Sequence, residues 1–377
     1  MESTREHFSE SDRIRYSRHF VLPGFGEASQ VRLQQSAVLV VGAGGLGAPV
    51  LYYLTAAGVG TLGVADPDAV SLSNLQRQIL FTTDDLGQNK AVQASARLRA
   101  LNPTTQVVSI PIAVNTENAL DLLAPYDLVV DATDNFPTRY LLNDACVLLG
   151  KPLIYGSVFR FEGQVSVFNY QDGPTYRDLY PVPPIPGSVP DCEQGGVLGV
   201  LPGIIGSIQA NEAIKILTGI GEPLNGRLLL FDSLRMETQI VTLPKKQNHS
   251  IKNLIDYDQF CGHASNDQKA ERMKEVTVQE LKQWKDAGED FQLIDVREPH
   301  EFDICHLDGE LIPMAEIPHQ VEQISKTKKV VLHCRSGSRS GNMVQWLEKN
   351  HGFTNLYNLK GGVLAWIDHI DPSLTKY

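Results

Sequence analysis

The sequence predicts an α/β protein with a larger domain, built on a mostly parallel sheet with antiparallel additions, and a smaller α/β domain after it. Its 377 residues are enough for two or three domains. Short apolar runs alternate with helical patterns in the first part of the chain, which is typical of a parallel sheet. A polar stretch over 246–275 precedes a second alternating pattern. We therefore predict domains at 1–245 and 276–377, joined by a linker.

The apolar runs of the larger domain are predicted to be strands buried on both faces, because they are continuous rather than alternating. The predicted parallel strands are 37–41, 61–65, 127–130 and 152–155, and the predicted helices are 48–57, 88–101, 137–149 and 202–217. Two later runs, 164–168 and 227–231, are predicted to add antiparallel strands.

Charge and cysteine usage exclude several classes of protein. A formal net charge of −11 argues against a nucleic-acid-binding protein. No apolar stretch is long and unbroken enough to span a membrane, and residues 1–7 lack the apolar core of a signal peptide. The five cysteines include no C-x-x-C pair. No disulfide framework is therefore predicted, and a cytoplasmic location is expected.

A glycine-rich loop follows the first predicted strand and opens a helix. It supplies Gly42, Gly44, Gly45 and Gly47 in the spacing G-x-G-x-x-G, and Asp66 ends the next predicted strand about twenty residues later. Such glycines let backbone N–H groups approach a phosphate, and the acid can bind ribose hydroxyls. A Rossmann-like nucleotide site is predicted, and this loop alone leaves a nicotinamide-dependent dehydrogenase open.

Further polar residues favour a triphosphate over a dinucleotide. Arg77 and Lys90 add positive charge near the predicted sheet edge, and Asp134 follows a later strand. A triphosphate needs cations and Mg²⁺, whereas a dinucleotide needs little positive charge beyond a helix N-terminus. Taken singly, the cations could be solvated surface charges and Asp134 a helix cap. Together they predict an ATP site with Asp134 as the Mg²⁺ ligand.

A loop near the carboxyl end carries a candidate nucleophile. An apolar run at 329–333 leads to Cys334, and the loop that follows holds Arg335 and Arg339 and opens a helical pattern. Backbone N–H groups, a helix start and guanidinium groups favour a thiolate, and such settings lower a cysteine pKa from about 8.5 to roughly 3.5–7.5. A sulfur nucleophile is predicted, the alternative being a buried, inert cysteine at a strand end.

Residues from about 10 to 245 resemble the ubiquitin-activating-enzyme-like adenylyltransferases that activate sulfur-carrier proteins in molybdopterin and thiamine biosynthesis. The motifs that carry the resemblance are R-Y-S-R at 15–18, the glycine loop, Asp66 with Asp68, N-L-Q-R-Q at 74–78, Lys90, D-A-T-D-N at 131–135 and F-E-G-Q at 161–164. The resemblance implies that Asn74, Arg77 and Lys90 contact ATP and that Asp134 positions Mg²⁺. It also implies a homodimer in which Arg18 reaches the partner subunit's site.

The last hundred residues or so resemble rhodanese-type sulfurtransferases. The spacing from Cys334 to Arg339 is C-x4-R, one residue shorter than the C-x5-R loop of tyrosine phosphatases, and D-V-R-E at 295–298 and L-K-G-G-V-L-A-W at 359–366 agree. The resemblance implies a persulfide on Cys334. One departure is Cys305, where the family usually has glycine.

The positions of the cysteines lead to two further expectations, one about Cys192 and one about zinc. Cys192 occupies the position of a family cysteine on a mobile crossover loop that can bond to the carrier or its sulfur; the alternative is a small buried hydrophobic residue. The family usually binds zinc through two C-x-x-C pairs, but T-Y-R-D stands at 175–178 and residues 245–250 contain no cysteine. Zinc is therefore not expected.

The expected activity is ATP-dependent adenylation of the C-terminal glycine of a ubiquitin-like sulfur carrier ending in Gly-Gly, followed by sulfur transfer from a Cys334 persulfide. The persulfide would come from a donor such as a cysteine desulfurase. Two alternatives stay open: a nicotinamide-dependent dehydrogenase, and a carrier-docking scaffold whose rhodanese domain is inactive. Intact Cys334 and both loop arginines argue against the scaffold.

Overall fold

The computed structural model describes residues 8–184, 196–245, 251–261 and 273–377. These residues form two compact units, one made mainly of residues up to Phe260 and one made mainly of residues from Cys261 onward. Each unit has its own sheet and its own apolar core.

The first unit contains one eight-stranded sheet. Its strands are β1 Ala37–Val41, β2 Thr61–Ala65, β3 Gln106–Ile110, β4 Leu128–Asp131, β5 Leu153–Phe159, β6 Glu162–Phe168, β7 Arg227–Asp232 and β8 Glu237–Thr242. The order across the sheet is β3-β2-β1-β4-β5-β6-β7-β8. The five neighbouring strands β3, β2, β1, β4 and β5 are parallel to one another. Strands β6, β7 and β8 extend the sheet in antiparallel fashion.

Helices surround this sheet. They are Glu10–Arg15, Ser17–Phe20, Gly26–Gln35, Gly47–Ala57, Lys90–Leu101, Ala119–Leu123, Phe136–Leu149, Tyr176–Leu179, Val200–Thr218 and Tyr257–Phe260, with short 3-10 turns at Leu72–Asn74 and Thr83–Asp85. The longest, Val200–Thr218, packs on the helix Gly47–Ala57 and on β5. No helix in the described ranges is long and apolar enough to cross a membrane.

The strand order places the carboxyl ends of three strands side by side. Val41 at the end of β1 pairs with Ala65 of β2 on one side and with Asp131 of β4 on the other. The chain moves outward from β1 through β2 to β3 and then returns to the opposite side of β1. Ligands of open α/β sheets bind at such a reversal, outside the carboxyl ends of the strands.

The second unit contains a five-stranded parallel sheet. Its strands are β9 Glu275–Val276, β10 Phe291–Asp295, β11 Glu310–Leu311, β12 Lys329–His333 and β13 Leu356–Leu359, in the order β11-β10-β12-β13-β9. Its helices are Val278–Asp286, Pro299–Ile304, Ile317–Gln320, Ser338–His351 and Gly362–His369, with a 3-10 turn at Val321–Gln323. The central strand β12 ends next to β10, with Asp295 paired to His333.

The predicted fold class is confirmed, and the differences lie at the sheet edges. Strands β1 and β2 have the predicted bounds, whereas β5 extends to Phe159 because it pairs with the antiparallel β6. Strands β3 and β8 are edge strands that no apolar run predicts, and all six residues of β8 are exposed. An edge strand buries too little surface to require the apolar pattern of a central one.

Part of the predicted linker packs on the first unit. The helix Tyr257–Phe260 places Phe260 with its ring centroid 5.2 Å from that of Tyr140. The Tyr257 hydroxyl donates a 2.8 Å hydrogen bond to Asp144. Tyrosine burial with a satisfied hydroxyl is a common way to fasten a peripheral segment.

Candidate functional site

A cleft of about 270 Å³ lies at the carboxyl ends of β1, β2 and β4. Seven of the residues that the sequence predicts for nucleotide binding line it, namely Gly42, Gly44, Gly45, Asp66, Arg77, Lys90 and Asp134. The apolar side consists of Ile112, Val114, Val158, Val197 and Pro202. The cleft therefore combines a polar edge of the sheet with an apolar wall, as ligand sites commonly do.

The glycine loop needs its glycines for two different reasons. Gly42 has φ of +97°, and a Cβ there would lie 2.5 Å from the carbonyl oxygen of Ala132. A Cβ on Gly47 would lie 2.0 Å from the carbonyl oxygen of Gly42, so this residue is required for close packing of the turn rather than for lining the cleft. Gly44 and Gly45 present their backbone to the cleft.

Asp66 holds the glycine loop in place. Its Oδ2 accepts the backbone N–H of Ala43 at 2.8 Å, and its Oδ1 accepts that of Asp68 at 2.9 Å. Burial raises the pKa of Asp66, while the Ala43 N–H and the charge of Lys90 act in the opposite direction. The carboxylate thus orders the phosphate-binding loop from behind as well as lining the cleft.

Two cations border the cleft. The Lys90 ammonium is 8% exposed and pairs with Asp68 at 3.0 Å. Its helix begins at this residue, capped by the side chain of Asn89. Arg77 is half-buried, with one guanidinium N–H donated to the carbonyl of Ser73 at 3.2 Å. Both cations are within the lining of the cleft, where they can contact phosphate oxygens.

Asp134 and Asn135, which follow β4, have different roles. The Asn135 side chain caps the helix Phe136–Leu149 by accepting the Thr138 N–H at 2.9 Å. Asp134 is exposed to the cleft. Among the described residues no group of three or more His, Cys, Asp or Glu side chains could hold a metal ion. The Asp134 carboxylate supplies oxygen atoms of the kind that bind Mg²⁺.

Arg139 and Gln78 line the cleft but were not among the predicted site residues. Arg139 is buried and donates to the Thr133 carbonyl at 3.0 Å, with Nε 4.0 Å from Asp131 Oδ2. Gln78 is 5% exposed, and its Oε1 has no hydrogen-bond partner in the described part of the chain. Gln78 lies within the quoted N-L-Q-R-Q motif, which was the available signal. Arg139 follows Asp134 by one helical turn and a residue, a spacing that carries no distinctive pattern.

Two predicted residues, Arg18 and Asn74, are not among the residues that line the cleft. Arg18 is exposed on the helix Ser17–Phe20 and does not line the cleft. Asn74 is buried in the turn Leu72–Asn74, where its backbone organises Arg77 and Gln78. Cys192 lies outside the described residues.

The second candidate site is the loop after β12. Cys334 is fully buried, and its Sγ accepts the Gly337 N–H at 3.2 Å. The Ser340 hydroxyl lies 3.5 Å from Sγ. A Cβ on Gly362 would lie 2.3 Å from the Cys334 carbonyl oxygen, which explains why the G-G pair is needed beneath this loop. The helix Ser338–His351 begins at once, so its first N–H groups face the sulfur side of the loop.

The two loop arginines bind oxygens of this same unit. Arg339 forms a two-pronged pair with Glu301, with contacts of 2.7 and 2.6 Å. Burial raises the pKa of Glu301, but the hydrogen bonds and charge of Arg339, together with the hydrogen bonds from the Glu298 N–H and Tyr377, outweigh it and lower the pKa. Arg335 donates through Nε to the main-chain oxygen of Tyr377 at 2.8 Å. Both guanidinium groups therefore bind protein oxygens rather than Cys334 Sγ.

Behind the loop lies a buried polar layer. The Arg297 guanidinium binds Asp295, with Nε 2.9 Å from Oδ1. His333 is fully buried, and neither ring nitrogen has a hydrogen-bond partner among the described residues. Burial lowers the pKa of His333 to about 4. The imidazole is therefore neutral at physiological pH.

A buried ion pair lies in the segment 175–178 and the helix Phe136–Leu149 next to it. Arg177 binds Asp144 through Nε at 2.8 Å and Nη2 at 2.7 Å, and Tyr257 donates to the same carboxylate. The Arg177 guanidinium also lies 4.8 Å from the Phe260 ring centroid. Asp178, in the T-Y-R-D segment, accepts the Thr175 N–H as a helix cap. This cluster ties the segment 251–261 to the first unit.

Comparison with known proteins finds relatives for both units of the chain. The model of the ThiF family matches residues 16–253, and that of the rhodanese-like domain matches residues 277–369. The "Probable adenylyltransferase/sulfurtransferase MoeZ" of Mycobacterium tuberculosis is 45% identical, covering 98% of this chain and 96% of that protein. The "Adenylyltransferase and sulfurtransferase MOCS3" of Xenopus laevis is 39% identical, covering 97% of this chain and 88% of that protein.

Two further comparisons concern the first unit. The "Sulfur carrier protein adenylyltransferase" of Thermus thermophilus is 52% identical over 66% of this chain and 96% of that protein. The solved structure of E. coli MccB with ATP superposes with a TM-score of 0.55 at 21% identity, covering 63% of this chain and 74% of that chain. This last likeness shows the fold alone. The resemblance predicted from the motifs is confirmed: the chain belongs to the ThiF family and carries a rhodanese-like domain after its ThiF part.

Proposed function

We propose that the chain joins AMP to the C-terminal glycine of a ubiquitin-like sulfur carrier and then converts that carboxylate into a thiocarboxylate. The observation that carries the proposal is the joint lining of one cleft by the glycine loop, Arg77, Lys90 and Asp134. A dinucleotide needs little positive charge beyond the helix N-terminus that the glycine loop opens, which favours a triphosphate over a dehydrogenase cofactor. The full-length relatives named above are adenylyltransferases and sulfurtransferases.

In the first step, a carboxylate oxygen of the carrier attacks the α-phosphorus of ATP, and the bond to pyrophosphate breaks. Backbone N–H groups of Gly44 and Gly45 would hold phosphate oxygens at the start of the helix. Arg77 and Lys90 would stabilise the charge that develops on the departing pyrophosphate. The Asp68–Lys90 ion pair keeps the ammonium in place before ATP arrives.

Mg²⁺ would enter with ATP as the magnesium nucleotide. Asp134 is the protein ligand we propose for it, since this carboxylate is exposed to the cleft and lies at the end of β4. The metal would neutralise phosphate charge at that end of the cleft.

In the second step, the outer sulfur of a Cys334 persulfide attacks the acyl carbon, and AMP leaves. The product is an acyl disulfide between the carrier and Cys334. A Cys192 thiolate would attack Cys334 Sγ, releasing the carrier thiocarboxylate and leaving a Cys192–Cys334 disulfide that a thiol reductant reopens. Carrying both activities on one chain raises their effective concentration.

Partners and location remain part of the proposal. The Cys334 thiolate would be reloaded by attack on the outer sulfur of a donor persulfide, such as that of a cysteine desulfurase, with the donor thiolate leaving. The product would serve molybdopterin or thiamine biosynthesis or a related thiolation in the cytoplasm. We further propose a homodimer, supported by Arg18, which is exposed and outside its own chain's cleft lining.

Pyrophosphate exchange into ATP tests the adenylation. Exchange should require a carrier that ends in Gly-Gly and should be absent with the same carrier lacking its last glycine. Exchange at the full rate without any carrier, or none with any Gly-Gly carrier tried, would count against the proposal.

Hybrid dimers test the position of Arg18. Arg18→Ala and Asp134→Ala chains, each inactive alone, should regain exchange when mixed, because one composite site then has both residues. No recovery after confirmed subunit exchange would place Arg18 in its own chain's chemistry or outside it altogether.

A further inference from the structure

Tyr377 connects three residues around the sulfur-transfer loop. Its main-chain oxygen accepts from Arg335 Nε at 2.8 Å and also from Nη2. Its phenol oxygen accepts from Arg297 Nη1 at 2.6 Å and donates to Glu301 Oε1 at 3.1 Å. Its ring centroid lies 5.4 Å from the Arg335 guanidinium carbon. One residue therefore fixes the cation that follows Cys334 directly in the chain.

Both arginines of the loop therefore donate their hydrogen bonds to oxygen atoms of the protein itself. Glu301 takes two N–H groups of Arg339, and Tyr377 takes two of Arg335. Cys334 beneath them is fully buried. A doubly charged donor would have to approach the buried Cys334 while both guanidinium groups are bound to protein oxygens, at a high cost in desolvation.

We propose that Tyr377 is a specificity-determining residue of the sulfur-transfer loop: by occupying Arg335 it disfavours small sulfur-donating oxyanions, the thiosulfate class, and leaves the loop to persulfide donors. The inference rests on the proposed sulfurtransferase function.

The two donor chemistries differ in the charge that the loop must accept. With thiosulfate, the Cys334 thiolate attacks the outer sulfur, the sulfur–sulfur bond breaks, and sulfite leaves with the electron pair as a dianion. With a persulfide, the same thiolate attacks the outer sulfur and a singly charged thiolate leaves. Only the first needs a nearby unoccupied cation to bind the donor and stabilise its leaving group.

Deletion of Tyr377 from the 377-residue chain tests the proposal. Sulfur transfer to cyanide is measured with thiosulfate and with glutathione persulfide as donors. Freeing one charge-assisted pair of hydrogen bonds should lower the KM for thiosulfate about tenfold. The KM for the persulfide should change less than about twofold. Lys376→Ala is the matched control, since Lys376 lies in the same segment but pairs with Asp368.

A second variant separates release of Arg335 from loosening of the loop. Arg335→Ala in the shortened chain should abolish the gain with thiosulfate. A thiosulfate KM that stays unchanged or rises on removal of Tyr377, or a gain that persists without Arg335, overturns the inference. So does an equal loss with both donors in a shortened chain whose melting temperature is unchanged.

The proposed function and this inference fail in different ways. If the unaltered chain transfers sulfur from neither donor, or Cys334→Ala still transfers it, the proposed function fails. If the unaltered chain transfers sulfur through Cys334 and only the KM shift is missing, the function stands and the role of Tyr377 is wrong.

Discussion

The nucleotide cleft and the sulfur-transfer loop are built alike but differ in how far their key residues are exposed. Both lie at the carboxyl ends of parallel strands, on a loop that opens a helix. In the cleft, Asp134 is exposed and Arg77 is half-buried beside open space. In the loop, Cys334 is fully buried and both arginines bind protein oxygens.

The difference follows from what each site must hold. A polyanionic nucleotide supplies the charge that completes the cleft, so the half-buried Arg77, held by one backbone carbonyl, costs little in water. A reactive thiolate is better protected when its surroundings are already paired, because water and stray electrophiles are kept away. The cleft is therefore ready to accept its polyanionic substrate, whereas the arginines of the loop are already bound to protein oxygens.

Asp134→Ala should cause the largest selective loss in the cleft. Removing a positioned charge-stabilising group typically costs about 10²–10³ in rate, so pyrophosphate exchange should fall by that factor. Sulfur transfer to cyanide should be unchanged, because Cys334 lies in the other unit. Asp121→Ala is the control, an exposed aspartate on the helix Ala119–Leu123 outside the cleft lining. Equal loss of both activities would mean that the two sites are not separable.

The second unit should lose stability in mild acid because of His333. Its pKa is lowered by burial from 6.5 to about 4. Above pH 6.5 the ring is neutral in both states; between about 6.5 and 4 only the unfolded chain gains the proton, so stability falls as pH falls. The full loss is roughly 3 kcal/mol. His333→Gln should flatten this slope.

Tryptophan fluorescence measures that loss selectively, since the chain's three tryptophans, Trp284, Trp346 and Trp366, are all in the second unit. Denaturant unfolding is followed across the pH range in the full chain. His369→Gln, which removes an exposed histidine, should keep the slope. A slope in His333→Gln equal to that of the unaltered chain would assign the pH dependence to other groups.

Tyr257→Phe should have the smallest effect, in the first unit. It removes one hydrogen bond to the buried Asp144 carboxylate while Arg177 stays bound, at a cost of about 1.5 kcal/mol. Calorimetry should show a lower melting temperature than for Tyr53→Phe, which changes an exposed ring.

The same region is expected to need no zinc. Elemental analysis should find well under one zinc per chain, and stoichiometric zinc, or a melting temperature lowered by chelators, would refute this.

Local patterns predict the parts of this protein that depend on neighbours in sequence. Strands β1 and β2 follow from continuous apolar runs, and the turn at Gly42 follows from a φ of +97°, which favours glycine. The positions of Asp66 and Asp134 follow from the parallel strands β2 and β4, which end at one edge of the sheet. These features need no knowledge of distant contacts.

Pairings over long separations were beyond such patterns. The arginines of the sulfur loop were visible, but Glu301 lies 38 residues from Arg339 and Tyr377 lies 42 residues from Arg335. Arg139 is likewise placed in the cleft by tertiary packing of its helix against β4. A charged residue type can be read locally, whereas its partner depends on the whole fold.

The account's central claim is that the two units carry out successive steps on one carrier. The most direct measurement is the mass of a Gly-Gly carrier after incubation with ATP, a persulfide donor and the full chain. The unaltered chain should replace one carboxylate oxygen with sulfur. Cys334→Ala should leave the carrier mass unchanged while pyrophosphate exchange continues. Thiocarboxylate formed by Cys334→Ala at the unaltered rate would contradict the claim, because the sulfur would then come from elsewhere.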